Sequence, residues 1–250
     1  MYSILEHYLS TNHILMIGMI VTFILTFFLL EHPFSFLPSD QGRAFAVNGS
    51  LSKGKLRGVG FIFVLCFLIS SVLFLPIDVE YVIYAILLFA MMISGYLDDA
   101  SKTPWNEYKK GLIDLVISVV AVLTYMNFNS TTICFGADEI VIPKALFLIL
   151  GVILIWVSVN VTNCTDGVDG LCASLCSVTL LAFGVLFAPI LQKYAMANFL
   201  FLSVLFAYLY FNSSPSSMLM GDAGSRALGF YIAVIALKST HPFIYILLAA

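Results

Sequence analysis

The stretch ALFLILGVILIWVSVNVTNCTDGVDG, residues 145–170, decides the fold. Its apolar part, 145–162, is continuous rather than alternating, so it reads as a helix crossing lipid and not as a barrel strand. A run of about 20 apolar residues spans a hydrocarbon core of roughly 30 Å. At its foot stand Asn160, Asn163, Asp166 and Asp169, with a glycine directly after each carboxylate. A solvated turn needs one or two polar residues. Two carboxylates with two carboxamides imply chemistry at that end.

Working outward, the same pattern recurs. Of the 250 residues, 61% are hydrophobic and 10% charged, with a mean hydropathy of +1.04. A water-soluble domain carries about 25% charged residues, so soluble classes are excluded. The net charge of −3 says nothing by itself about nucleic acid, but there is no basic tract, and no nucleic-acid partner is expected. Five cysteines lack any CxxC pair and read as small packing residues. Apolar spans are expected at 12–31, 59–76, 80–97, 111–127, 145–162, 171–189, 195–211 and 227–237, and a ninth run begins at Phe243. The expected fold is therefore an all-α polytopic membrane protein, one integral-membrane domain over 1–250. It has eight full transmembrane helices and a cut-off ninth, which makes the chain a C-terminally truncated stretch of a longer protein. TTICFGADEIVIP, alternating around Gly136, predicts a short outer β-hairpin.

Lys and Arg placement sets the orientation. With alternating spans, one set of loops holds Arg43, Lys53, Lys55, Arg57, Lys102, Lys109, Lys110 and Arg226, against Lys144, Lys193 and Lys238 opposite. The first set is cytoplasmic and the N-terminus lies outside. The polar segments 39–58, 98–110, 163–170 and 212–226 all fall on that cytoplasmic face, and they hold Asp40, Asp98, Asp99, Asp166, Asp169 and Asp222.

An Asp at the bilayer centre costs about 2.5–3.5 kcal/mol on insertion scales, and acids near that level have a partner or a function. One such Asp reads simplest as a helix cap; several with glycines on one face do not. Asp98 and Asp99 are adjacent, so their side chains diverge on a helix. Two acids from one turn and one from another loop suit Mg²⁺, which keeps waters and takes substrate phosphate oxygens. One acid of the pair ligates while the other accepts a proton. Lys102, four residues after Asp98, neutralises it or touches phosphate. GDAGSRALG (221–229) reads as loop into helix, where Gly221 and Gly224 let backbone approach an anion. Asp114 reads as a helix-start acid, and Trp105 and Tyr108 as interfacial anchors. The residues alone thus give a Mg²⁺-dependent phosphate site without naming its substrate.

Three motifs then carry a resemblance: DDASK with Asp98, Asp99 and Lys102; NCTDGVDGL with Asn163, Asp166 and Asp169; and FNSSPSSMLMGDAGS with Asn212, Pro215 and Asp222. In this order they resemble the polyprenyl-phosphate sugar-1-phosphate transferase superfamily, and within it the branch that transfers phospho-N-acetylmuramoyl-pentapeptide. The resemblance implies about ten helices in the full-length family and a Mg²⁺ cofactor. Its implied partners are UDP-N-acetylmuramoyl-pentapeptide, undecaprenyl phosphate, the bacterial cytoplasmic membrane and a second copy of the chain. It implies lipid I and UMP as products. By motif match, Asp222 and Asp99 hold metal, Asp98 is the base, and all three are catalytic. Lys53, Lys102, Asn163, Asp166, Asp169, Asn212 and Gly221 bind substrate. The chain departs from the family where Leu219 replaces a phenylalanine and where KGKLRGVG (53–60) replaces a Thr/Pro-containing loop. Two rivals stand beside this: transfer of N-acetylglucosamine-1-phosphate, disfavoured by Lys102, and a cation-coupled transporter, disfavoured by acids gathered at one surface rather than the midplane.

Overall fold

The computed structural model describes residues 1–32, 34–40, 42, 52–101, 103, 105–135 and 138–249. The elements in chain order are α1 (Tyr2–Leu5), α2 (Thr11–Glu31), α3 (Gly60–Phe74), α4 (Val79–Asp99) and α5 (Glu107–Phe128). A hairpin follows, β1 (Thr132–Phe135) and β2 (Asp138–Val141). Then come α6 (Lys144–Thr165), α7 (Leu171–Leu186), α8 (Gln192–Asn212), α9 (Gly221–Lys238) and α10 (Pro242–Ala249). Polar residues open three of the long helices: Ser10 accepts from His13 N–H, Asp78 from Tyr81 N–H at 2.8 Å, and Asn106 from Tyr108 N–H at 3.1 Å. Each satisfies a backbone donor that has no partner inside its helix.

Five helices, α2, α4, α5, α6 and α8, are long and apolar enough to cross a membrane. The chain is a multi-pass membrane protein. The expected eight full spans are met only in part. α3 has 15 residues and α7 has 16, about 22–24 Å at 1.5 Å per residue, short of the roughly 30 Å core. α9 has 18 residues, including Asp222, Arg226 and Lys238, and all of them are buried. Its expected start at Ala227 is corrected to Gly221, so the sequence GDAGSR is helix and not loop.

α9 is the axis of the molecule. It lies chiefly against α4 and α6, with α3 and α7 beside them, and meets α5 over a short stretch. Backbones touch where glycine permits it: a Cβ on Gly60 of α3 would lie 2.1 Å from Gly224 N, and one on Gly95 of α4 would lie 2.3 Å from Asp222 O. Small residues at helix contacts are how bundles in lipid gain close packing. α2 shows the same logic from outside. Its buried stripe is Ile14, Gly18, Thr22, Thr26 and Leu30, smaller and more polar than the Ile, Phe and Met it exposes toward lipid.

The hairpin is antiparallel, pairing Thr132 with Val141 and Phe135 with Asp138, as the alternation predicts; Gly136 itself lies outside the described residues. Cys134 N–H donates to Thr240 O at 2.8 Å, tying the hairpin to the end of α9. There Lys238 Nζ donates to Glu80 Oε1 (3.0 Å), Glu80 Oε2 (2.9 Å) and Asn129 Oδ1 (2.7 Å).

Candidate active site

At the other end of α9, three chain segments are zipped together by backbone. Arg57 N–H donates to Pro38 O, Asp40 N–H to Lys55 O and Leu219 N–H to Leu56 O, each at 2.8 Å, and Val59 N–H donates to Leu219 O at 3.2 Å. Residues 38–40 and 218–220 thus flank 55–59 in a small extended platform over the first turn of α9.

This platform delivers Arg57 into a group of carboxylates. Its Nε lies 2.9 Å from Asp99 Oδ1, Nη2 lies 3.4 Å from Asp222 Oδ1 and Nη1 lies 3.6 Å from Asp40 Oδ1. Burial alone would lower the pKa of the guanidinium, but Asp99, Asp222 and Asp40 outweigh it and hold Arg57 above its ordinary value. From α5, Lys110 Nζ lies 2.6 Å from Asp98 Oδ2 and 3.4 Å from Asp222 Oδ2. Asp98 Oδ1 also accepts from Trp105 N–H at 2.7 Å.

The paired acids diverge as their adjacency requires. Asp98 turns to Lys110, while Asp99 turns to Arg57 and accepts from Ala223 N–H at 3.1 Å through Oδ2. The positive end of α9 is therefore occupied by a carboxylate of the protein itself. This explains Gly221, whose φ is +67°: a Cβ there would lie 2.3 Å from Asp99 Oδ2.

Among the described residues, four buried carboxylates, Asp40, Asp98, Asp99 and Asp222, and the exposed Glu107 face two cations, Arg57 and Lys110. The buried four exceed the two cations by two negative charges, at hard oxygen donors. Among the described residues no three acidic, imidazole or thiol groups are placed to hold a metal ion by themselves. An excess of two charges on carboxylate oxygens would suit a Mg²⁺ that completes its shell with water and phosphate.

Beside the cluster lies a second patch. Asp169 accepts from Ser216 N–H (3.0 Å) and Ser216 Oγ (2.8 Å), and Lys55 Nζ donates to the same Oγ at 2.8 Å. These hydrogen bonds and the Lys55 charge overcome partial burial and keep the Asp169 carboxyl below its ordinary range. Asn212 is a staple, donating to Met218 O at 2.9 Å and accepting from Gly170 N–H at 3.0 Å. Asn163 accepts from Ser225 Oγ at 2.8 Å, and Asp166 ends α6 with its N–H on Asn163 O at 3.3 Å.

The structure thus brings together Asp98, Asp99, Asp222 and Gly221, and beside them Asn163, Asp169 and Asn212. Lys53 does not join them: it is exposed in the turn, and Lys55 and Arg57 point inward instead. Lys102 lies outside the described residues, as does Arg43. The lysine on Asp98 is Lys110, which the sequence reading assigns only to loop charge. Asp114 is not a helix-start acid; it is buried in an ion pair with Arg226. Arg226 is accordingly a core residue and leaves the count of loop cations.

The sequence profile of glycosyl transferase family 4 matches residues 81–240. A phospho-N-acetylmuramoyl-pentapeptide-transferase of Treponema pallidum (strain Nichols) is 35% identical, the match covering 92% of this chain and 70% of the relative. Relatives of the same name from Halalkalibacterium halodurans (28% identical; 95% of this chain and 78% of the relative covered) and Microcystis aeruginosa (31%; 73% and 53%) are also similar.

Proposed function

Because the chain belongs to glycosyl transferase family 4, we propose that it moves phospho-N-acetylmuramoyl-pentapeptide from UDP to undecaprenyl phosphate in peptidoglycan synthesis, giving lipid I and UMP. The observation that carries the chemistry is the unbalanced cluster, four carboxylates against Arg57 and Lys110, at the membrane-level start of α9. The reacting face is cytoplasmic and the N-terminus outside, a reading supported by the Lys and Arg asymmetry of the loops.

Asp222, with Asp99 beside it, would hold Mg²⁺. Asp99 Oδ2 also accepts from Ala223 N–H and its Oδ1 lies beside Arg57 Nε, so it fixes the first turn of α9 as well. When bound, the metal supplies Lewis-acid charge withdrawal at the diphosphate. The lipid phosphate oxygen attacks the sugar-bound phosphorus, and the bond to the UMP oxygen breaks in line. Asp98 takes the proton carried by the lipid phosphate, since each of its oxygens accepts one hydrogen bond and keeps a lone pair. Arg57 and Lys110 stand next to where charge grows on the transferring phosphate. Asn163, Asp166, Asp169, Asn212 and Lys55 shape the nucleotide side, with Lys53 and Lys102 contributing charge from the loops. A second copy of the chain is a further partner.

The test is UMP release by the detergent-solubilised protein with undecaprenyl phosphate and Mg²⁺, from UDP-N-acetylmuramoyl-pentapeptide and from UDP-N-acetylglucosamine. Release from the first alone, lost in Asp222→Asn, is expected. Release from the second alone would move the protein to the N-acetylglucosamine branch.

A further inference from the structure

One turn beneath the cluster, Arg226 Nη2 of α9 donates to Asp114 Oδ1 of α5 at 2.5 Å, and both side chains are almost fully buried. Arg226 lies four residues after Asp222, and Asp114 four residues after Lys110. Residues four apart share a helix face, so the two helices are joined by a ladder of two rungs, Lys110–Asp222 above and Asp114–Arg226 below. The charge order is reversed between the rungs. Asp114 lies under Lys110 and within electrostatic reach of both Lys110 and Asp222.

Stability does not account for the lower rung. A buried ion pair is matched or exceeded by apolar residues of similar volume, and Arg226 Nε and Nη1 are buried without a hydrogen-bond partner among the described residues. What the pair does supply is register. α5 meets α9 over only a short stretch, and Lys110 must still arrive between Asp98 on α4 and Asp222 on α9.

We infer that Asp114 and Arg226 are positioning residues for the transfer reaction, a buried charge pair whose order sets Lys110 between Asp98 and Asp222. This rests on the proposed transferase reading. The decisive variant is the swap Asp114→Arg with Arg226→Asp, which restores a pair but places like charges along each helix.

The single changes Asp114→Asn and Arg226→Gln are expected to lower both Tm and kcat, the latter at least tenfold. The swap is expected to recover Tm yet keep kcat at least tenfold down, with KM for the nucleotide sugar within about threefold of wild type. A swap with wild-type kcat would make the pair a plain clamp and overturn the inference. Should the swap not fold, the neutral pair Asp114→Gln with Arg226→Leu reads the same point: a tenfold lower kcat supports it and an unchanged kcat sinks it. Should the wild type release no UMP, the transferase reading fails by itself. Acylation of Lys110 by an amine reagent then decides: a rate at least threefold faster in the swap supports positioning, and an unchanged rate refutes it.

Discussion

The two ends of α9 use the same residue types to opposite effect. At its close, Lys238 spends its three protons on Glu80 and Asn129, and Glu80 Oε1 also accepts from Tyr84 and Asn129. One cation meets one anion, and the donors are saturated. At its start, among the described residues, Asp222 shares Arg57 and Lys110 with Asp40, Asp98, Asp99 and the exposed Glu107, each contact to Asp222 being 3.4 Å, and the buried carboxylates exceed the cations by two. Balance and saturation mark a structural lock. Imbalance with shared contacts marks the end of α9 that the proposed transfer would use.

That contrast is open to attack at several levels. The largest effect is expected from Asp222→Asn, which should cut UMP release about 10³-fold, the scale of losing one electrostatic group at a reacting centre; chelation by EDTA should do the same and Mg²⁺ should restore it. At the other end, Lys238→Met leaves Glu80 buried and unpaired, a loss of about 3–5 kcal/mol. It should lower Tm sharply while the surviving folded fraction keeps its kcat. A matching fall in kcat would show that the far end is more than a lock. Mg²⁺ alone should stabilise the wild type by about 2.7 kcal/mol at a hundred times its Kd, and should not shift the Tm of Asp222→Asn. In Mg²⁺-free buffer that same variant should be the more stable protein by about 0.5–2 kcal/mol, as relief of an unfavourable site commonly gives; a lower Tm would contradict the charge surplus.

The smallest effect concerns pH. Asp169 is held below its ordinary value of 3.8 in the folded state, so its contribution is complete above that value and is lost as pH falls through the lower folded pKa. The Tm of Asp169→Asn should therefore decline less than that of wild type between pH 5 and 3.

Much of this arrangement is legible in the sequence. Continuous apolar runs locate α2, α4, α5, α6 and α8 to within a few residues, because lipid-facing helices advertise their length. The grouping of Asp98, Asp99, Asp169 and Asp222 follows from counting spans. What escapes are residues whose meaning depends on the partner helix. Arg57 looks like an ordinary loop cation until the 38–40 and 218–220 segments flank it, and Lys110 until α4 and α9 bring Asp98 and Asp222 to it. Asp114 did leave a signal, since it stands a few residues inside an apolar run, where a charge needs a partner; Arg226, just before the expected span at 227–237, left none. α9 escapes for a different reason. Hydropathy measures fitness for lipid, and this helix contacts protein along its whole length.

That last point bears on how the chain enters a membrane. A helix carrying Asp222, Arg226 and Lys238 is poorly matched to lipid by itself, with a central charge worth about 2.5–3.5 kcal/mol against insertion. Its walls, α3, α4, α6 and α7, are all synthesised before it. The order of the chain lets each charge meet a counter-charge already made: Arg57 and Lys110 for Asp222, Asp114 for Arg226, Glu80 for Lys238. α9 thus follows most of its socket in the order of the chain.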